Sequence, residues 1–488
     1  MRKIYKQGVL ALAISSLLVT SSCGNLESLN TDTKAYEQPI AEALMSKAQQ
    51  SSNYFLHNAS VNDNNFRKYA QQWTSSTYFD EDIYNQEKRD LGSSYFSSFY
   101  IGVLPNLYDA KKFIELQETF SSDELAVKNN KLAIIEIQIV NAYMTLVDIF
   151  GDVPYSEAID LLNFPTPKYD DAETIYLDLV DRITLAINSL DTTNGSFGNA
   201  DLINKGNVSK WKKLANSIKL KMALHLYDID ASKSKQLAEE AYASGVIDNN
   251  ADNSIMFYMP NTNEANPAYT TLVEESSLIP TSYLIQILSS KQDPRLDVFL
   301  DPTSKVGGQY LGASYAQGGV HANLSTQGTK IKAQDSDGII FDYAETSFLL
   351  AEAASRGFSV GGNAATHYEN GIKASMNYWG VSTADTNTYL ARTDVAFSTA
   401  QGTDIQKIAQ QLWIAYYNRG FEAWTEYRRL DYPILTAPIN AVNDAQGKVP
   451  TRVIYPSSSR VNNKANYEAA AAKIGGDKMT TKIFWDVN

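Results

Sequence analysis

Apolar residues recur at three- and four-residue steps over Leu125, Leu132, Ile135, Ile139, Tyr143, Leu146 and Ile149, the spacing that lines one face of a helix. Ser121-Ser122-Asp123-Glu124 ahead of them is a capping-box start and Gly151 a stop, so one long amphipathic helix is predicted between them. Beyond a loop marked by Pro154, Pro165 and Pro167, Asp170-Asp171-Ala172-Glu173 opens a second helix carrying Ile175, Leu179, Ile183, Ile187 and Leu190. Helix pairs follow over Trp211 to Tyr227 with Lys235 to Ala243, closed by Gly245, over Tyr343 to Ser355 with Ala364 to Tyr378, and within Asp404 to Arg428. The expected fold class is therefore mainly α, a tetratricopeptide-like helix-pair scaffold without a strict sequence period. Asn249 to Ser276, Pro302 to Asp337 and Pro433 to Thr480 show no period and share Asn, Gly, Ser, Tyr and Pro. They read as long irregular loops, where a binding face is expected.

The N-terminus has a different pattern. Met1 to Lys6 is basic and Gly8 to Thr20 is an apolar stretch of signal-peptide length, too short for a permanent membrane span. Val19-Thr20-Ser21-Ser22-Cys23-Gly24 places the single cysteine of the chain directly after small residues, as a lipoprotein cleavage site does, with Thr20 where an aliphatic residue is commoner. A plain secretory leader would instead leave an idle thiol in an oxidising compartment. Residues 1–22 are thus expected to be a leader and Cys23 the lipidation site, with several acyl chains for stable anchoring. Residues 23–38 are polar and aperiodic and read as a tether, and 39–488 as one α-helical domain with loop-rich insertions. No later stretch has the eighteen or so uninterrupted apolar residues of a membrane helix.

Composition narrows the partners. The net charge of −13 becomes three charges more negative once Arg2, Lys3 and Lys6 leave with the leader, which argues against nucleic acid and against polybasic membrane docking. Thirty Tyr and six Trp offer flat apolar faces with a polar handle, equally suited to ligand contact and to helix packing. His57, His225, His321 and His367 have no metal-ligand spacing, and no nucleophile elbow or phosphate-cradling loop is present. No cofactor, metal or catalytic residue is expected, although paired carboxylates among 55 acids leave a glycosidase open.

Several local sequences carry a resemblance. Phe150-Gly151-Asp152-Val153-Pro154-Tyr155-Ser156-Glu157-Ala158, Trp211-Lys212-Lys213-Leu214-Ala215-Asn216-Ser217, Asp293-Pro294-Arg295-Leu296, Glu345 to Ala353, Gly420 to Arg429, Pro450 to Pro456 and Ile483-Phe484-Trp485-Asp486 resemble, in this order, motifs of the SusD/RagB family of Bacteroidota outer-membrane lipoproteins, in its SusD-like type 2 branch. The resemblance implies a helical scaffold whose loop face binds oligosaccharide or peptide. It also implies a lid on a TonB-dependent, SusC-like barrel, outside the cell, with binding and gating rather than bond breaking. Asp152, Pro154, Trp211 and Trp424 read as caps, turns and packing anchors, and Arg428 and Arg429 beside Glu422 and Glu426 as helix-spaced charge pairs.

Aromatic residues with polar neighbours are the ligand-binding candidates, because sugar C–H faces pack on rings while amides and carboxylates satisfy hydroxyls. They form three clusters: Trp73, Tyr78, Asp80 and Tyr84; Phe257, Tyr258, Asn263, Asn266 and Tyr269; Tyr310 and Tyr315. Each residue could equally cover a helix end or face the transporter. Two other readings are a glycan-processing surface enzyme, which would show turnover, and a tetratricopeptide-like structural or adhesive lipoprotein, which would bind no oligosaccharide or peptide.

Overall fold

The computed structural model describes residues 40–488 except 78, 262, 263, 276 and 488. The expected leader, Cys23 and the tether lie outside the described residues. The helices that carry the scaffold are α1 (Ala41–His57), α2 (Leu91–Tyr100), α3 (Leu104–Glu115), α4 (Ser122–Phe150), α5 (Ala172–Ser189), α6 (Val208–His225), α7 (Ala231–Ser244), α8 (Tyr343–Ser355), α9 (Ala364–Trp379), α10 (Asp404–Ala415) and α11 (Gly420–Leu430). Their starts have local causes. The side chains of Ser121, Asp171, Asn207, Asp230, Asp342, Asn363 and Thr403 each accept a backbone N–H of the first turn, satisfying a donor the helix leaves orphaned. At α4 the box is incomplete: Ser121 Oγ accepts from Glu124, but the Glu124 carboxylate accepts from Phe120 N rather than from Ser121.

Consecutive helices pack as α4 on α5, α5 on α6, α6 on α7, α8 on α9 and α10 on α11, and α8 also meets α6 and α10. The mainly helical, tetratricopeptide-like scaffold is thus as expected. Close approach is built in at α8 and α9, where a Cβ on Gly371 would stand 2.7 Å from the Phe348 ring, so only glycine lets that ring enter. α4 is long and apolar enough to cross a membrane by length and composition, yet 78% of that stretch is buried inside the protein. It is a core helix, with Ile134, Ile135, Val140, Leu146 and Val147 at its buried positions.

Two short antiparallel sheets stitch the loops. β1 (Trp73–Ser75) pairs with β3 (Leu278–Pro280), Trp73 opposite Pro280, and β2 (Ser254–Met256) pairs with β4 (Gly338–Phe341). Two expectations are corrected: Asn249 to Ser276 is not wholly irregular, because it holds β2 and short helical segments at Pro267–Tyr269 and Thr270–Glu275, and neither is Pro433 to Thr480, because helices form at Ser457–Asn462 and Lys464–Lys473. In the last of these helices only Ala470 is buried, so no apolar period marks it.

The motif residues of α8 and α11 form a buried charge network. Arg429 donates to both oxygens of Glu352 (2.6 and 2.5 Å) and to Glu426 (2.9 and 2.6 Å). Glu426 also contacts the His225 ring at 2.9 Å. Arg429 holds the Glu352 and Glu426 carboxyls below their ordinary range against a burial that raises them. Nearby, Arg419 bridges Glu345 (2.6 Å), and Lys221 reaches the same carboxylate at 3.2 Å. Trp211 donates to Asp201 (2.7 Å), Trp424 to the Pro450 carbonyl (2.7 Å) and Trp485 to Asp148 (2.8 Å). These residues tie distant elements together and are closed to solvent.

Candidate ligand-binding face

Four loop segments converge beside β1. Ser76 N donates to Ser277 O (2.8 Å), Ser282 N to Ala313 O (2.8 Å), Ala316 N to Thr74 Oγ1 (3.1 Å) and Val442 N to Ile83 O (2.9 Å). The Tyr283 hydroxyl donates to Ile434 O (2.9 Å). Gly318 completes the join: it has φ +70, and a Cβ there would overlap the Phe79 ring.

This convergence brings one residue of the first candidate cluster against one of the third. The rings of Tyr84 and Tyr315 lie 6.2 Å apart, tilted by 39°, although their positions are 231 residues apart in sequence. Burial corrects part of the expectation. Trp73 and Tyr84 are fully buried; Trp73 packs near Arg67 (5.2 Å) and Tyr417 (6.0 Å), and the Tyr84 hydroxyl accepts from Gln71. Both support the face from below rather than offering a surface to ligand. Tyr315 is half-buried with its ring against Tyr84, Asp80 is half-buried and paired with Lys88 at 2.5 Å, and Tyr78 lies outside the described residues.

Beneath β1 the charges are balanced rather than exposed. Lys68 donates to Ser75 Oγ (2.6 Å) between Glu81 (3.7 Å) and Asp82 (3.9 Å). Asp82 accepts from Ser75 N (3.0 Å), and burial pushes its carboxyl up to about 6 despite the nearby ammonium. The cluster fixes the strand that carries the face.

The second cluster sits over the C-terminal end of α1. Phe257 is 59% exposed, with the Lys205 ammonium 5.9 Å from its ring, and Tyr258 and Tyr269 are half-buried. A Cβ on Gly338 would stand 2.9 Å from the Tyr258 ring and 3.3 Å from His57, so glycine lets the ring lie flat there. Asn266 is corrected to a structural role: it is buried, accepts from Ala268 N (2.8 Å) and donates to Ser336 O (2.9 Å). Asn263 lies outside the described residues. Tyr310 stands apart from Tyr315, its hydroxyl donating to Asp297 (2.7 Å) and its ring lying under the Lys305 ammonium at 4.6 Å. Burial, and then the bond to the ionised Asp297, raises its phenol pKa.

Sequence reasoning missed the exposed aliphatic residues of these loops, Val320, Ile434 and Ile439. Their signal was available only as isolated apolar residues among Gly, Pro and Asn. Exposed apolar side chains with polar, uncharged sequence neighbours, as Ile439 beside Asn440, suit an amphipathic ligand. Among the described residues no group of three His, Cys, Asp or Glu comes together in metal-binding geometry.

Comparison with known proteins extends this geometry. A family described as SusD-like, starch-binding associating with outer membrane, matches residues 33–456. No curated protein matches the sequence. Among solved structures, a chitin-binding protein is 27% identical with a TM-score of 0.79, over 92% of this chain and 100% of that one. A chitin-binding SusD homolog from Flavobacterium johnsoniae is 24% identical with a TM-score of 0.77, over 91% and 99% of the two chains. A SusD homolog from Bacteroides uniformis is also 24% identical, with a TM-score of 0.76 over 91% and 99%.

Proposed function

Because this chain belongs to the SusD-like family of starch-binding proteins associating with the outer membrane, we propose that it captures oligosaccharide at the cell surface and acts as the lid of a TonB-dependent, SusC-like importer. The observation that carries this reading is the extent of the family match, which takes in both the scaffold and all the loops that converge beside β1. In this reading Cys23 bears the lipid anchor and residues 23–38 are the tether. Tyr315, Tyr258, Tyr269 and Phe257 supply ring faces, while Asp80 and the side chains Tyr78 and Asn263 supply hydrogen bonds. The chitin-binding description of two structural neighbours supports a neutral glycan over a peptide as cargo.

Capture of this kind needs no bond to break. Ring faces replace water on the apolar side of a pyranose, and the loops, already hydrogen-bonded to one another, lose little freedom on binding. The importer half of the reading is tested by purifying the tagged, natively processed chain from solubilised outer membrane. A large TonB-dependent barrel is expected in equal amount, together with a diacylglyceryl- and acyl-modified Cys23 peptide by mass spectrometry. Reproducible purification without any barrel would contradict the lid role.

A further inference from the structure

A groove that shares no lining residue with the loop face lies between α2, the 154–169 loop and the short helix Ser457–Asn462. Its volume is about 330 Å³, within the range of small-molecule sites. The short helix that forms one wall is held in place: Ser457 Oγ donates to Asp90 (2.5 Å) and Arg460 pairs with Glu87 (3.0 Å).

The two walls differ in chemistry. One is made of the half-buried rings of Phe96, Tyr100 and Tyr169, with Phe96 5.0 Å from Tyr100 and 6.4 Å from Tyr169. Both tyrosine hydroxyls are used within the protein, Tyr100 donating to Pro154 O (2.5 Å) and Tyr169 to Ser459 Oγ (2.9 Å). The rings therefore present apolar surface. The other wall carries Ser458 and Asn462, whose side chains have no hydrogen-bond partner among the described residues.

No charged side chain lines the groove, so a charged ligand would shed water without compensation. A wholly apolar ligand would strip water from Ser458 and Asn462 and return no hydrogen bond. A neutral pyranose matches both walls, with an apolar C–H face for the rings and hydroxyls for the serine and amide. We propose that this groove is a second saccharide site, for one or two neutral pyranose units, separate from the loop face. It rests on the reading of the chain as a glycan-capture protein.

The test titrates N,N′-diacetylchitobiose and, separately, maltose into the chain lacking its leader, by calorimetry and saturation-transfer NMR, alongside Ser458→Trp and Asn462→Trp. Both substitutions fill the groove mouth from exposed positions on the short helix. For at least one of the two sugars, two equivalents are expected to bind the parent chain. One of them should weaken at least tenfold in each variant that retains the parent's melting temperature. One equivalent, unchanged by either substitution, would overturn the groove site and leave glycan capture standing. Binding of neither sugar to any of the three chains would also overturn the groove site, while glycan capture itself is decided by retention on neutral polysaccharides.

Discussion

Replacing Arg429 with alanine is expected to lower the unfolding free energy by about 3–5 kcal/mol, the cost of leaving buried carboxylates without their cation. Arg429 is 2% exposed and its partners Glu352 and Glu426 are 1% and 4% exposed, so water cannot take its place. The planar guanidinium reaches both oxygens of Glu352 and one of Glu426 at once, a geometry an ammonium lacks. Arg429→Lys should therefore recover only part of the loss. Urea denaturation followed by circular dichroism reads both variants. A midpoint for Arg429→Ala within the error of the parent would show that the network contributes nothing.

Stability should also fall steeply in acid because of His57. Its ring is buried, contacts the Ile339 carbonyl at 3.1 Å, and has its pKa pushed down from 6.5 to about 3, first by burial and then by the charges of Arg67 and Arg419. Between those values the unfolded chain binds the proton more tightly than the folded one. The contribution is thus fully present above pH 6.5 and is lost as the pH falls toward 3. At about 1.4 kcal/mol per pH unit, His57 accounts for roughly 3 kcal/mol of loss between pH 6.5 and pH 4. Asp82 works in the opposite sense: with its pKa raised to about 6, its contribution is present below its ordinary value and lost as the pH rises through 6. Comparing parent with His57→Gln at each pH isolates the histidine, and the variant should show a flatter acid limb. Parallel curves for the two proteins would refute this assignment.

The helices were legible wherever a buried stripe and a cap lay close together in the chain. Tyr343 to Ser355 was readable because Asp342 caps it and Phe348, Leu349 and Ala351 face the core. The Lys464–Lys473 helix was not, since it buries almost nothing. Trp73 and Tyr84 looked like surface residues because Gln71, Gln72, Thr74 and Ser75 surround the first and Glu81, Asp82 and Gln86 the second, yet those polar side chains are buried too. Gln72 donates to the Trp413 carbonyl (2.8 Å) and Lys68 to Ser75 (2.6 Å). Partners that satisfy such groups come from α10 and from elsewhere in the fold, and local sequence cannot show them. The meeting of Tyr84 with Tyr315 and the groove between Tyr100, Tyr169 and Ser458 join segments hundreds of residues apart, and have no local signature for the same reason.

Capture of a neutral glycan without cleavage is the central role proposed for this protein. Its most direct test is native affinity electrophoresis of the purified chain through gels containing soluble chitin derivatives, starch or other neutral polysaccharides, with assay of reducing ends after prolonged incubation. Retardation by at least one polysaccharide, with no new reducing ends, is the predicted result. Release of reducing ends, or free migration through every gel, would contradict it.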